Sequence, residues 1–257
     1  DSFKGSLTSA EVADAVERGI KDVFPQCNVV KAGVADGGEG TVEAIVKAVG
    51  GDMYAASVTD PLGRPIKAAY GIVRSGGVKT AVMEMSAASG LPLLLPDELN
   101  PWITSTYGTG EMISDALNRG CRKFLVGIGG SATNDAGTGM LSALGVRFLD
   151  SSGHRLKGCG RDLESIARID MSSLMPAARE SEFIVACDVN TPFCGPDGAA
   201  RVFAPQKGAN PQTAEALDRG MRSFARVIAG QFQTDIVPLS GAGAAGGLGG
   251  AFKAFLN

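Results

Sequence analysis

The residue types best suited to chemistry lie in one stretch, where an apolar run at 124–128 leads into glycines and then into polar side chains. The turn glycines Gly129 and Gly130 are followed by four side chains that form hydrogen bonds or carry charge: Ser131, Thr133, Asn134 and Asp135. A helix-like apolar pattern begins directly afterwards. A glycine-rich turn before a helix N-terminus presents unpaired backbone N–H groups, which bind phosphate and other anions. The stretch therefore predicts an active-site loop.

Three further polar clusters have the same arrangement, because each follows a predicted strand and precedes glycine or a helix; for the first cluster, the strand would precede Asp1. Their members are Asp1, Ser2 and Lys4; Asp36, Gly37, Gly38 and Glu39; and Asp188 and Asn190. One such carboxylate taken alone is more often a helix cap. In an open α/β sheet, however, the carboxyl ends of the strands face a common crevice where ligands bind. The four clusters together therefore predict one shared site.

Phosphoryl transfer is the chemistry that these residue types support best. It needs carboxylates to hold Mg²⁺, backbone amides around the phosphates, a cation on the moving charge and a carboxylate near the attacking hydroxyl. The candidate cations are Lys4 and Lys207, and the main candidate carboxylates are Asp36, Asp135 and Asp188. Because the sequence contains no G-x-x-x-x-G-K-[ST], a P-loop is excluded.

Composition disfavours several other classes of protein. The single histidine, His154, lies in a polar turn, which makes a Ser-His-Asp triad or a histidine-rich zinc site a poor fit. A net charge of −3 without a Lys/Arg cluster offers no surface for nucleic acid. No apolar segment approaches the roughly 20 residues of a membrane span. The five cysteines have no metal-binding spacing, so we expect reduced thiols and a cytoplasmic protein.

Hydrophobic periodicity predicts an α/β fold. A capping box at Thr8 begins a helix that Pro25 ends, and a buried strand is expected at 28–35 before a helix that begins at Thr41. Three strands without intervening helices then predict an antiparallel or mixed sheet at 53–59, 66–73 and 79–85. The later elements are a helix from about residue 110, the strand at 124–128, a hairpin-like stretch at 146–156, a strand at 182–188 and a long helix around 217–228.

Six motifs, in order along essentially the whole chain, resemble the bacterial glycerate kinases of type 1. They are DSFKGSL at 1–7, VADGGEGT at 34–41, TYGTG at 106–110, GIGGSATND at 127–135, CDVN at 187–190 and GAGAAGGLG at 241–249. The resemblance implies two α/β domains: a Rossmann-like parallel-sheet domain made from both chain ends, and a mixed-sheet α/β domain inserted between them. The expected bounds are 1–59 with 241–257 for the first domain, which would be incomplete in this chain, and 60–240 for the second.

The resemblance also implies a reaction, the transfer of the γ-phosphate of ATP to a hydroxyl of glycerate, giving 2-phosphoglycerate. For such a reaction we expect backbone amides and Lys4 to hold the glycerate carboxylate, and residues 131–134 to contact phosphates. Asp36 or Asp188 would organise Mg²⁺, and Asp36 or Asp135 would orient the attacking hydroxyl. The other members of the four clusters, together with Lys207, are expected to line the substrate or nucleotide site.

Two alternatives remain open from the residues alone. One is a phosphatase or mutase acting on a similar acid, and the other is a non-catalytic binder of phosphorylated hydroxy acids. In each case the expected partner is a small molecule, without nucleic acid or membrane. The protein is expected to be a monomer or a homodimer.

Overall fold

The computed structural model describes residues 7, 9–31 and 40–256. The first two predicted clusters lie outside the described residues, namely Asp1, Ser2 and Lys4, and Asp36, Gly37, Gly38 and Glu39. The described strands are β1 (Gly51–Thr59), β2 (Pro65–Ser75), β3 (Val78–Glu84), β4 (Lys123–Gly127), β5 (Arg147–Leu149), β6 (Arg168–Asp170) and β7 (Glu182–Ala186). The described α-helices are α1 (Ser9–Val23), α2 (Thr41–Val49), α3 (Ser86–Ser89), α4 (Tyr107–Asn118), α5 (Thr138–Ala143), α6 (Pro176–Arg179), α7 (Ala199–Phe203), α8 (Pro211–Phe232) and α9 (Ala244–Phe255).

The main sheet is mixed, with the strand order β1-β2-β3-β4-β7. β1 pairs antiparallel with β2, and β2 with β3, whereas β4 runs parallel to both β3 and β7. Short turns are enough to join the antiparallel strands, but each parallel pair needs a longer crossover that returns the chain to the same edge. The prediction of an α/β fold with a mixed sheet is therefore confirmed.

Both faces of the sheet are covered, because successive side chains of a strand point to opposite faces. On one face, α2 packs Val42 and Val46 against β2 and β3. The other face carries the main core, to which α4, α5, α8 and α9 contribute. In that core Phe124 of β4 stacks on Phe183 of β7, with ring centroids 4.6 Å apart. The site-bearing strands are thus held in a packed layer.

The predicted domain boundary at residue 60 falls within this sheet. β1 pairs with β2 from Gly51, opposite Val73, to Thr59, opposite Pro65. At the other end of the chain, α9 packs on β7, and the rings of Phe252 and Phe183 lie 5.6 Å apart. Residues 51–59 and 244–255 therefore pack with the segment 60–240. A separate Rossmann-like domain made from both chain ends stays a prediction.

The buried strand predicted at 28–35 is wrong for its described residues, 28–31. These residues have no regular secondary structure, and Val30 is 82% exposed. The apolar side of α1 is also exposed, at Val16 and Val23. A β-branched run forms a strand only where a neighbouring strand accepts its backbone hydrogen bonds. Within the described ranges, residues 28–31 pair with no strand.

The hairpin-like stretch predicted at 146–156 is present beside β5. The Asp150 carboxylate accepts hydrogen bonds from the N–H groups of Ser152 and His154, which closes the turn. The Leu156 N–H then donates to the Phe148 carbonyl at 2.8 Å. The His154 side chain is exposed, as expected for a polar turn.

In the part of the chain that the structure covers, no helix is both long enough and apolar enough to cross a bilayer.

Candidate active site

Three parallel strands end side by side at the sheet edge where the site is expected. Glu84 of β3 lies opposite Gly127 of β4, and Gly127 lies opposite Ala186 of β7. The polar clusters that follow β4 and β7 therefore begin at neighbouring points of one edge. Glu84 is itself buried, and its carboxylate accepts a hydrogen bond of 3.1 Å from the N–H of Val42 at the start of α2.

The glycine loop, residues 128–137, connects β4 to α5 and has an exposed tip. Gly129 and Gly130 form this tip, and Gly130 has a φ of 70°, which glycine adopts without steric cost. Among the described residues, neither amide donates to a protein acceptor. Within the described ranges, two backbone N–H groups at the carboxyl end of a parallel strand are therefore available to an anion.

The rear of the glycine loop is buried. The side chains of Thr133 and Asn134 are fully buried, and Asn134 Nδ2 lies 3.2 Å from the Met221 sulfur. Thr133 Oγ1 and Asn134 Oδ1 have no partner in the described part of the chain. This burial argues against the prediction that these two side chains contact phosphates. Ser131, with 6% of its surface exposed, lies next to the tip and is the better placed of the predicted hydroxyls.

Asp135 fastens the glycine loop to the starts of two helices. Its Oδ2 accepts hydrogen bonds from the Thr106 N–H at 2.7 Å and the Thr106 hydroxyl at 2.8 Å, just before α4. The same oxygen accepts from the Gly139 N–H at 3.2 Å, and Oδ1 accepts from the Gly137 N–H at 3.1 Å, at the start of α5. Carboxylates are favoured at helix N-termini because the first N–H groups of a helix have no acceptor within the helix.

Burial raises the pKa of the Asp135 carboxyl, and the hydrogen bonds from Thr106, Gly137 and Gly139 oppose that rise. The side chain is fully buried and its oxygens are occupied by protein donors. This burial argues against the prediction that Asp135 orients the attacking hydroxyl, because among the described residues its carboxylate already accepts hydrogen bonds from protein donors. Its observed hydrogen bonds hold the glycine loop against the starts of α4 and α5.

A short antiparallel bridge holds the glycine loop against residues 89–91. The Leu91 N–H donates to the Gly130 carbonyl at 2.9 Å, and the Ala132 N–H donates to the Ser89 carbonyl at 2.9 Å. Thr104 adds a bond of 2.9 Å from its hydroxyl to the Ala132 carbonyl. The exposed tip is therefore fixed on its flanks rather than free to change shape.

Lys207 lies behind the glycine loop instead of in an open crevice. It ends a short 3₁₀ turn, Pro205–Lys207, and only 1% of its surface is exposed. Its Nζ donates to Ser131 Oγ at 2.7 Å and to the Thr133 carbonyl at 2.7 Å. Burial lowers the pKa of Lys207 to about 7, and the Asp135 carboxylate opposes that shift. Direct contact of Lys207 with a substrate, as predicted, does not fit this burial.

The glycine segment, residues 241–247, packs directly on the glycine loop. The Ala136 N–H donates to the Gly246 carbonyl at 2.9 Å, and the Gly243 N–H donates to the Thr191 carbonyl at 3.0 Å. Three consecutive residues of the segment have φ values of 53°, 67° and 96°: Ala245, Gly246 and Gly247. A Cβ atom at Gly246 would lie 2.2 Å from the Thr133 carbonyl oxygen, so the close approach requires glycine.

The cluster after β7 is exposed. Asn190 Oδ1 accepts a hydrogen bond of 2.7 Å from the hydroxyl of Ser240, the residue directly before the glycine segment. Asp188 is exposed, and its carboxylate has no protein partner in the described ranges. No group of three or more metal-ligating side chains occurs among the described residues. Of the predicted metal ligands, Asp188 alone can be located, and Asp36 lies outside the described residues.

Sequence reasoning missed the residues that hold the loop, although some signals were present. Thr106 lies in the TYGTG motif, and the glycine segment lies in the GAGAAGGLG motif; neither motif was assigned a role at the site. Ser89 and Thr104 carry no such signal, because their contacts join segments that are distant in the chain.

A family model and individual relatives of known sequence indicate the same protein family. The sequence model of the Glycerate kinase family matches residues 1–257. A glycerate kinase of Haemophilus influenzae is 49% identical, over 97% of this chain and 66% of that protein. The glycerate 2-kinase of Escherichia coli is 46% identical, over 100% of this chain and 67% of that protein.

A solved structure agrees with these sequence matches. The crystal structure of a Salmonella typhimurium LT2 protein assigned as a glycerate kinase 2 superposes with a TM-score of 0.90 and 45% identity. The match covers 100% of this chain and 68% of that one. The chain thus spans about two thirds of the length of the relatives that it matches. It belongs to the glycerate kinase family.

Proposed function

We propose that the full-length protein is an ATP-dependent kinase that transfers the γ-phosphate to a hydroxyl of glycerate, with 2-phosphoglycerate as the product. The observation that carries this proposal is the exposed Gly129–Gly130 tip, with two amide donors at the end of a parallel strand and a fixed frame behind it. Family membership supports the reaction, and the name glycerate 2-kinase of the Escherichia coli relative supports the 2-hydroxyl as acceptor.

The glycine loop would bind a phosphate through backbone rather than side-chain charge. Donors already fixed in place stabilise developing negative charge without reorganising during the reaction. The bridge to residues 89–91 and the bonds to Asp135 provide that rigidity. Lys4, which lies outside the described residues, is proposed to hold the glycerate carboxylate.

Asp188 is suited to a metal ion, because it offers an exposed carboxylate, unpaired among described residues, next to the tip-bearing strand. One or two carboxylates together with substrate phosphates are a common way to hold Mg²⁺. When bound, Mg²⁺ would neutralise charge on the phosphates. We propose Asp188, with Asp36, as the ligands. Since the Asp135 carboxylate is occupied by protein donors, Asp36 is the proposed residue that orients the attacking hydroxyl.

A coupled assay of ADP release on the full-length gene product tests the function. We expect turnover that requires both glycerate and Mg-ATP, with ³¹P NMR showing the phosphate on the 2-hydroxyl. Asp36→Asn and Asp188→Asn should each lower kcat by at least about a hundredfold. Raised Mg²⁺ should rescue Asp188→Asn more than Asp36→Asn, because Asp36 is also proposed to orient the attacking hydroxyl. Phosphate release from phosphoglycerate without ATP would favour a phosphatase, and binding without turnover would favour a non-catalytic binder.

We further propose a cytoplasmic protein that is a monomer or a homodimer. All five cysteines are free thiols, which suits a reducing compartment. Light scattering coupled to size exclusion measures the assembly directly, and a mass above that of a dimer would reject this proposal.

A further inference from the structure

Lys207 is a buried cation to which no carboxylate of the described residues is hydrogen-bonded. Its ammonium donates hydrogen bonds to a hydroxyl, Ser131 Oγ, and to a peptide carbonyl, that of Thr133. The Asp135 carboxylate is the one charged group, among described residues, whose field acts on the ammonium. A buried charge that is not paired by hydrogen bonds to an opposite charge costs stability. Its presence directly behind the glycine loop therefore needs a reason other than packing.

The direction of the bond to Ser131 supplies such a reason. A lysine ammonium has donors only, so Ser131 Oγ must be the acceptor in the 2.7 Å contact. The hydroxyl proton of Ser131 is then free to donate elsewhere, and no other hydrogen bond of that hydroxyl is recorded among the described residues. Ser131 directly follows the exposed tip at Gly130. The hydrogen bond from the charged Lys207 ammonium also polarises the Ser131 hydroxyl. This hydroxyl therefore becomes a stronger hydrogen-bond donor to another acceptor.

We propose that Lys207 is a positioning residue that sets the Ser131 hydroxyl as a donor toward the phosphate bound at the Gly129–Gly130 tip. This inference rests on the proposed function. Ser131 would touch the phosphate, whereas Lys207 would act through Ser131 and through the Thr133 carbonyl. The charge of Lys207 would then stabilise the phosphate through the polarised Ser131 hydroxyl, without direct contact between the ammonium and the phosphate.

The protonation state of Lys207 controls the direction of this contact. A neutral amine can accept a hydrogen bond from Ser131, which would turn the hydroxyl proton away from the tip. Because burial lowers the pKa of Lys207 to about 7, both forms are accessible near neutral pH. Turnover should therefore decrease as pH rises through this range. Asp135, the charged group facing Lys207, is fully buried and raises the pKa of Lys207 when ionised.

The test uses Lys207→Met, Lys207→Arg, Ser131→Ala and the double variant Lys207→Met/Ser131→Ala in the full-length protein. We expect Lys207→Met and Ser131→Ala each to lower kcat by about ten- to a hundredfold, as for loss of a charge-assisted hydrogen bond. Both single variants remove the same interaction, the hydrogen bond from Lys207 to Ser131. The double variant should therefore be no slower than the slower single variant. Lys207→Arg keeps the charge, so it should recover part of the rate and show no loss of turnover between pH 7 and 9.

A matched control and two further readouts separate this role from a merely structural one. Lys79 donates to the Arg119 carbonyl at 2.6 Å at the opposite end of β3, so Lys79→Met should keep wild-type turnover. Lys207→Met should stay folded at the assay temperature, because removal of a buried charge offsets the loss of the hydrogen bonds to Ser131 Oγ and the Thr133 carbonyl. Calorimetry with Mg-ATP should show weaker binding for Lys207→Met and Ser131→Ala alike.

The outcomes distinguish this inference from the proposed function. If the wild-type protein shows no glycerate-dependent ADP release, the proposed function fails. If the wild type is active but Lys207→Met stays within twofold of it, the inference is overturned. Rate losses that multiply in the double variant, or a pH profile of Lys207→Arg identical to the wild type, would overturn it as well.

Discussion

At the scale of single residues, the polar side chains of the glycine loop differ mainly in what they face. Ser131 lies beside the tip, whereas Asp135 faces the amides that begin two helices. The sequence predicted both residues for the site because their types suit phosphoryl transfer. The sequence could not predict which way these side chains point, because their hydrogen-bond partners are distant in the chain. Asp135 is bonded to Thr106, and Ser131 to Lys207.

Asp135→Asn is expected to destabilise the protein. The amide nitrogen of asparagine would face either the Gly137 N–H or the donors of Thr106 and Gly139, so at least one buried donor would lose its partner. The expected loss is about 2–3 kcal/mol in the free energy of unfolding, measured by urea titration. Asp97→Asn, at an exposed residue, is the matched control and should change stability little. Equal stability of both variants would contradict the fastening role of Asp135.

Stability should rise with pH because of Lys207. Its pKa of about 7 in the folded protein is below the ordinary value of 10.5, so the unfolded state binds more protons between these pH values. The free energy of unfolding then increases from about pH 7 toward pH 10, by up to about 1.4 kcal/mol per pH unit. Lys207→Met should lose this increase. Urea titrations of both proteins at several pH values measure the difference, and parallel curves would show that Lys207 does not titrate in this range.

At the scale of elements, the sequence predicted the strands better than the contacts between them. The strands expected at 53–59, 66–73 and 79–85 are present within two residues at each end, because hydrophobic alternation and turn glycines mark them locally. The strand expected at 28–35 failed where it is described, because pairing is not a local property. The high glycine content marks the glycine segment in the sequence. Its packing on the glycine loop is a tertiary contact that composition does not predict.

The glycine segment provides a prediction at this scale. In Gly246→Ala, the added Cβ would meet the Thr133 carbonyl oxygen and would also require a φ of 67° from an L-residue. The expected cost is at least about 2 kcal/mol in unfolding free energy, with loss of turnover as the loop shifts. Gly230→Ala, in α8, has nothing within 4 Å of the new Cβ and should stabilise slightly. A Gly246→Ala variant as stable as Gly230→Ala would show that the close approach is not required.

At the scale of the whole molecule, the described part of the chain forms a five-stranded mixed sheet with packed helices on both faces, and a smaller antiparallel sheet of β5 and β6. The sequence predicted the mixed sheet, but the proposed boundary at residue 60 separated β1 from the strand to which it pairs. Composition changes little across that point, so no local signal marks which sheet β1 joins. The glycine loop, by contrast, gathers contacts from well-separated segments of the chain.

The contacts between the glycine loop and distant segments of the chain affect the order in which the protein folds. The bond between Lys207 and Ser131 closes a loop of 76 residues, and the bond between Asp135 and Thr106 closes one of 29. Closing long loops costs chain entropy before the contacts repay it, so such pairings form late. After dilution from urea, far-UV circular dichroism should recover before turnover does. Simultaneous recovery of both signals would show that the glycine loop is part of the early nucleus. The regions that assemble last are those that a nascent chain can complete only once residues beyond 207 have been synthesised.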